Sequence, residues 1–234
     1  MAGERTYRAM RADIIFGRLA PAQKIRLETA RAQYGVSIST LRETLNRLSS
    51  EGLVIAEGQR GFEVAPVSPD GFREVAALRL LLECDALEKS LARGDIEWEA
   101  AVVAAHHKLS VAETRMASGD RTMSETWKRY DRDFHHALIA ACGSELLLDT
   151  HADIFDQYLR YQIVAVIYRG DIAAEEHRIL LDCALRRDAT RARATLERHV
   201  EDCVAFALAA PEADSAWRSN TPTDPTPTRR RAGG

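Results

Sequence analysis

From about residue 70 to about residue 209, apolar residues recur at helical spacing and nowhere alternate with period two. The pattern is interrupted at Gly94, Gly119-Asp120, Gly143, Gly170-Asp171 and Asp188. Helices are therefore predicted over 71–92, 96–118, 123–141, 144–168, 171–187 and 190–209. Helices with one apolar stripe each and short connections can bury those stripes only against one another. An all-helical antiparallel bundle follows for this part of the chain. No stretch approaches the roughly 20 apolar residues that cross a bilayer, and the N-terminus lacks a secretory pattern. No membrane partner and a cytoplasmic location are expected.

The first 66 residues read differently. A helix over 5–17 carries Tyr7, Met10, Ile14 and Ile15 as its stripe and stops at Gly17. Ile25 and Leu27 suggest a short extended stretch before a helix at 28–34. Gly35 then supplies a turn, and Ser37 is the expected N-cap of a helix over 38–50. Leu53-Val54-Ile55 and Phe62-Glu63-Val64 flank a Gly-rich turn and read as a hairpin. Helix, glycine turn, helix and polar-tipped hairpin make a winged helix-turn-helix with a small β-hairpin wing. The whole chain is thus read as mainly α, with a reading head at 1–66, a linker at 67–71 around Pro66 and Pro69, a helical domain at 72–210 and a disordered tail at 211–234.

Double-stranded DNA is the partner such a head implies. Ser37, Ser39, Thr40 and Arg42 fall near the N-terminal end of the second helix of the pair, the end that enters a major groove. Short hydroxyls there bond phosphates or base edges, and arginine can pair with guanine through two hydrogen bonds. Arg31 on the preceding helix and Arg47 one turn beyond Arg42 suit phosphates, and Gln59 and Arg60 sit on the hairpin tip. Charge agrees in sign: residues 1–66 carry a net +3 and the rest a net −6. The basic run Arg229-Arg230-Arg231 is read as part of a solvated tail. Cys84, Cys142, Cys183 and Cys203 form no CxxC pair and are expected to be reduced core residues.

Five of the seven histidines, His135, His136, His151, His177 and His199, fall in the second half of the chain. Asp131 and His135 are four apart and share a helix face, while His177 and His199 lie on two later helices. An Asp and three His would hold a divalent ion inside a bundle, zinc foremost, with nickel, manganese or iron also accommodated. Spacing alone leaves Asp133, His136 and Glu176 open as alternative ligands. Arg79 and Glu83 share a face of the first helix after the linker, and Arg160 lies on a long central one. A buried arginine beside a metal would receive the carboxylate of a small effector, so these three are the candidate effector residues.

Two regions carry a family resemblance. One is GVSISTLRETLNRLSSEGLV at 35–54 with AEGQRGFEVAPVS at 56–68; the other is DRDFHHALIAACGS at 131–144, EEHRILLDCALRRD at 175–188 and His199-Val200. They resemble the GntR family of bacterial regulators, in its FadR subgroup with an all-helical FCD effector domain. In metal-binding members a D-x3-H unit and two later histidines hold the ion, which implies Asp131, His135, His177 and His199 here. The resemblance also implies a homodimer and a small carboxylate effector, with Arg79 complementing its charge. Ile38, Glu28 and Glu57 stand where the fatty-acid-responsive branch carries arginine, arginine and histidine, which puts the operator in doubt and argues against an acyl-CoA sensor. RADIIFGRLAPAQKIRLE at 11–28 is similar to carbon-starvation-linked repressors of the family, and points to a C5 dicarboxylate or a hydroxy acid.

The expected function is a repressor, not an enzyme, that leaves its operator when the effector binds. A metal-dependent hydrolase is one alternative, though no separate catalytic base or nucleophile accompanies the ligands. A constitutive architectural DNA binder is another, and it requires a bundle filled with apolar side chains.

Overall fold

The computed structural model describes residues 2–56, 61–164 and 168–209. The head contains α1 (Ala2–Ile15), β1 (Lys24–Ile25), α2 (Leu27–Tyr34), α3 (Ile38–Ser50), β2 (Val54–Ala56) and β3 (Phe62–Val64). Met10 and Ile14 of α1 meet Leu41, Leu45 and Leu48 of α3, all of them buried, under a lid of Val54, Phe62 and Val64. Gly35 closes α2 in the left-handed region at φ 66°, where a side chain would be strained. The Ser37 hydroxyl then caps α3 by accepting the Thr40 N–H at 3.2 Å. The wing is an antiparallel hairpin in the register Val54↔Val64 and Ala56↔Phe62. One pairing was not expected: β1 joins the other edge of β3, giving the sheet order β1-β3-β2. Only Lys24 and Ile25 of the stretch expected to be extended form that strand, and Leu27 opens α2 instead.

The body contains α4 (Pro69–Arg93), α5 (Ile96–Ala117), α6 (Ser124–Ile139), α7 (Glu145–Val164), α8 (Asp171–Arg186) and α9 (Ala189–Ala209). Ser68 caps α4 from the linker, accepting the Gly71 N–H at 3.1 Å, and Pro69 occupies the first turn, where its missing N–H costs nothing. Asp95 caps α5 in the same way through the Trp98 N–H at 2.9 Å. The helices pack as α5 on α6 and α8, α4 on α7 and α9, and α8 on α9. Phe72, Leu87, Val102, Leu109, Phe134, Leu138, Leu180, Leu196 and Val200 form the apolar core between them. All four cysteines are free and buried. Among the described residues no helix is long and apolar enough to cross a membrane. The expected tail from residue 211 lies outside the described residues.

The head rests on the body through polar contacts centred on α7. Arg11 of α1 bonds Glu51 within the head at 2.9 Å, and on α7 it bonds Asp153 at 2.9 Å and also Asp156. Gln157 donates to the Glu51 carbonyl at 3.0 Å. Arg18 reaches Glu125 on α6 at 2.7 Å.

Candidate metal centre and DNA-reading face

Asp131 and His135 occupy one inner face of α6, one helical turn apart, while α8 supplies His177 and α9 supplies His199. All four are buried, and one donor atom from each lies within 4.8 Å of the others. The D-x3-H spacing accounts for half of this. The other half comes from the packing of α8 on α9, which brings the rings of His177 and His199 to 4.8 Å between centroids.

Each histidine is held from behind by a glutamate on its Nδ1. His135 meets Glu83 at 2.5 Å, His177 meets Glu113 at 2.7 Å and His199 meets Glu176 at 2.8 Å. An imidazole that donates from Nδ1 presents the lone pair of Nε2, the state a metal ligand needs. The Nε2 atoms of His135 and His177 are buried without a hydrogen bond. His177 Nε2 stands 3.2 Å from Asp131 Oδ1, but poorly aligned for one. Three backed imidazoles and a carboxylate, with orphaned nitrogens between them, fit a divalent cation. The donor set does not choose among zinc, nickel, manganese and iron.

The electrostatics of this interior are tightly set. Burial opposes ionisation of Glu83, but Arg79, His135 and His151 outweigh it and hold its carboxyl well below the usual range. Asp131 is likewise lowered, burial being overcome by His177, Lys128 and His135. Burial pulls the His177 pKa down, but Asp131 and Glu113 win and raise it to about 9. His199 goes the other way, to about 3, because burial combines with the charges of His177 and His135.

The structure separates the three candidate effector residues. Arg79 is fully buried between the Phe155 and Tyr158 rings, at 4.2 and 4.5 Å, and its Nη1 has no hydrogen bond. Its Nε donates to Glu83 at 2.7 Å. Glu83 does not point at a ligand space: its two oxygens hold His135 and, at 3.0 Å, His151, so it is a support for the cluster. Arg160 is not brought to the cluster at all. It lies on the side of α7 that faces the linker and donates to the Ala65 carbonyl at 2.5 Å. Burial lowers its pKa to about 10.

A cavity of about 20 Å³ adjoins Asp131, His177 and His199, enough for a water or an ion. Its other walls include Trp127, Lys128, Gln162 and Arg169. The sequence did not single out Lys128, Gln162, Arg169 or Glu113 for any role. No local motif could have, since Glu113 meets His177 across 64 positions. Of the open alternatives, Asp133 and His136 face outward, and Glu176 serves His199.

On the head, Arg42 is exposed and makes no ion pair among the described residues. The hydroxyls of Ser37, Ser39 and Thr40 cluster beside it, with Ser37 at 2.8 Å from Ser39 and 3.0 Å from Thr40. Arg31 is exposed and pairs with Glu28 at 3.2 Å. Arg47 is committed within the head: its guanidinium lies 3.4 Å over the Tyr7 ring and reaches Glu4 at 3.0 Å. Ile38 is half-buried against the head core, a packing reason for an apolar residue where the fatty-acid-responsive branch has arginine. Glu57, Gln59 and Arg60 lie outside the described residues.

The profile described as "Bacterial regulatory proteins, gntR family" matches residues 2–64, and that of the FCD domain matches residues 74–202. The chain belongs to the GntR family. Within it, this GntR-family chain is 39% identical over 203 residues to BphR of Paraburkholderia xenovorans LB400, described as an uncharacterized HTH-type transcriptional regulator. That match covers 86% of this chain and 83% of BphR. The chain is 32% identical over 201 residues to the HTH-type transcriptional repressor GlaR of Escherichia coli K12, covering 83% of this chain and 90% of GlaR. The same fold is seen in E. coli McbR/YncC, with a TM-score of 0.75 at 19% identity over 89% of this chain and 97% of that one. A GntR regulator from Rhodococcus sp. RHA1 gives 0.72 at 22% identity, covering 89% and 98%. This GntR/FCD protein is a DNA-binding transcription regulator that responds to a small molecule, and not an enzyme. The Asp and His cluster buried inside its otherwise apolar body also departs from the wholly apolar bundle an architectural binder requires.

Proposed function

We propose that the protein is a repressor that grips its operator as a homodimer and releases it when a small carboxylate binds beside a divalent metal in the body. Asp131, His135, His177 and His199 hold the ion, which supplies a Lewis-acidic anchor for the acid. The observation that carries this is the glutamate behind every histidine of the cluster, an arrangement that fixes tautomer and aim and would be wasted on ordinary core histidines. The DNA-contacting residues are Arg31, Ser37, Ser39, Thr40 and Arg42 on the head, with Gln59 and Arg60 on the wing. Arg47 contributes by holding α3 against α1. The effector is a hydroxy acid or a C5 dicarboxylate. Its arrival is felt by α7, whose inner residues His151, Phe155 and Tyr158 touch Glu83 and Arg79 while its outer residues hold the head.

Two measurements test this. Purified protein should contain one divalent ion per chain by elemental analysis, and His177→Ala should contain none. In a gel shift with the native promoter, lactate or glutarate should release the metal-loaded wild type and leave His177→Ala bound. Metal-free wild-type protein that takes up no added ion would overturn the metal part. DNA binding that no acid alters would overturn the effector part.

A further inference from the structure

Three cations are buried around the cluster, and two are matched. Arg79 is paired with Glu83 at 2.7 Å. Arg169 forks onto both oxygens of Glu176, at 3.0 and 3.2 Å. Lys128 is the exception. It is 3% exposed, yet among the described residues no carboxylate lies within 4 Å of its ammonium. Its Nζ donates to the Gln162 amide oxygen at 2.7 Å and rests 4.0 Å over the Trp127 ring. Gln162 is its one hydrogen-bond partner among the described residues, although an ammonium has three N–H donors. Asp131, three positions along the same helix, acts on this charge only through space, and a buried charge with no counter-ion bonded to it is costly unless something else brings the opposite charge.

Lys128 also borders the cavity that Asp131, His177 and His199 line. We infer that Lys128 is the receptor for the effector's carboxylate, so that the acid group enters first and sits between the ammonium and the metal-holding face. The inference rests on the proposed reading of this cavity as the effector site. It moves the charge recognition from Arg79, already paired with Glu83, to a residue that no carboxylate touches among the described residues. Gln162 aims the ammonium, and the Gln162 amide is itself fixed by donating to Cys203 Sγ at 3.0 Å. The space as it stands takes a single water or ion, so the acid group enters only as the walls give way, and no carbon chain follows it to this depth.

The test compares wild type, Lys128→Met and Lys128→Arg as full-length protein, using acetate and L-lactate as probes in calorimetric titration and thermal melts. Lys128→Met should bind either acid about 10- to 100-fold more weakly, the worth of one charge-assisted hydrogen bond, while Lys128→Arg keeps binding within a few-fold. Elemental analysis should find the same metal content in all three. Without acid, Lys128→Met should melt at or above the wild type, because it loses a buried charge that no carboxylate touches. With acid, only wild type and Lys128→Arg should gain melting temperature. Acid binding to Lys128→Met within threefold of wild type, or a Lys128→Met chain that unfolds or melts well below wild type, would overturn the inference. If wild type holds no metal but still binds acid through Lys128, the metal reading falls and this one stands.

Discussion

Arg42 and Arg47 are five positions apart on one helix, and their surroundings make them different kinds of residue. Arg42 is exposed with its guanidinium uncommitted, whereas Arg47 is stacked on Tyr7 and paired with Glu4. Arg42→Ala should weaken operator binding by about 1–3 kcal/mol and leave thermal stability within about 0.5 kcal/mol; fluorescence anisotropy and a melt check both. Arg47→Ala should do more to the melt than Arg42→Ala does. In the body, Glu83→Gln breaks the buried pair with Arg79 and should cost about 3–5 kcal/mol in chemical denaturation. Its pH dependence has a definite sign. Glu83 is held below its unfolded value of 4.5, so its stabilisation is present above that value and is lost as pH falls beneath it. Wild type should therefore lose more stability on acidification below pH 4.5 than Glu83→Gln does. Sequence reading named the four residues that the fold gathers into one buried cluster, because a family pattern and an i, i+4 spacing both mark them. It could not find Lys128, which has no motif and whose distinction is an absent neighbour. It offered Glu83 to the effector, and could not foresee its bonds to His135 and His151, because a carboxylate next to an arginine looks alike whether it faces a ligand or a histidine.

At the scale of elements, helical periodicity carried most of the architecture. The six body helices were readable because each is bounded by glycine or aspartate and striped on one side, and the head because Gly35 and Ser37 are the residues a helix-turn-helix needs. The strand β1 was not readable: two residues make no period, and their pairing with β3 depends on a partner 37 positions away. The role of Arg160 was hidden for a related reason. Helical periodicity tells that α7 has an inside, but not that its outside is also covered. That helix has two occupied faces. His151, Phe155 and Tyr158 look inward, while Asp153, Asp156, Gln157 and Arg160 meet the head and linker. Shortening the cap of α3 by Ser37→Ala should cost about 1 kcal/mol of stability, measured by denaturation of the DNA-free protein.

Considered whole, the molecule is two cores with a set of charged and polar contacts between them. Arg11 is the centre of that set, bonded to Glu51 in its own head and to Asp153 and Asp156 on the body. Arg11→Met should leave each core folded but loosen the head, which limited proteolysis of the linker around Pro66 and Pro69 would report as faster cleavage. Contacts of this kind also respond to ionic strength, so raising salt should speed the same cleavage in wild type and much less in Arg11→Met. The two-faced helix has a further consequence for modularity. Heads and bodies of one family look interchangeable, but a chimera joined at the linker would graft a foreign head onto the outer face of α7. Under the mechanism proposed above, such a hybrid would still bind its acid and its operator, yet the two events would be uncoupled unless Asp153, Asp156 and Gln157 travelled with Arg11 and Glu51. The unit of inheritance for signalling is therefore larger than the reading head, and its border runs lengthwise down a helix instead of across the chain.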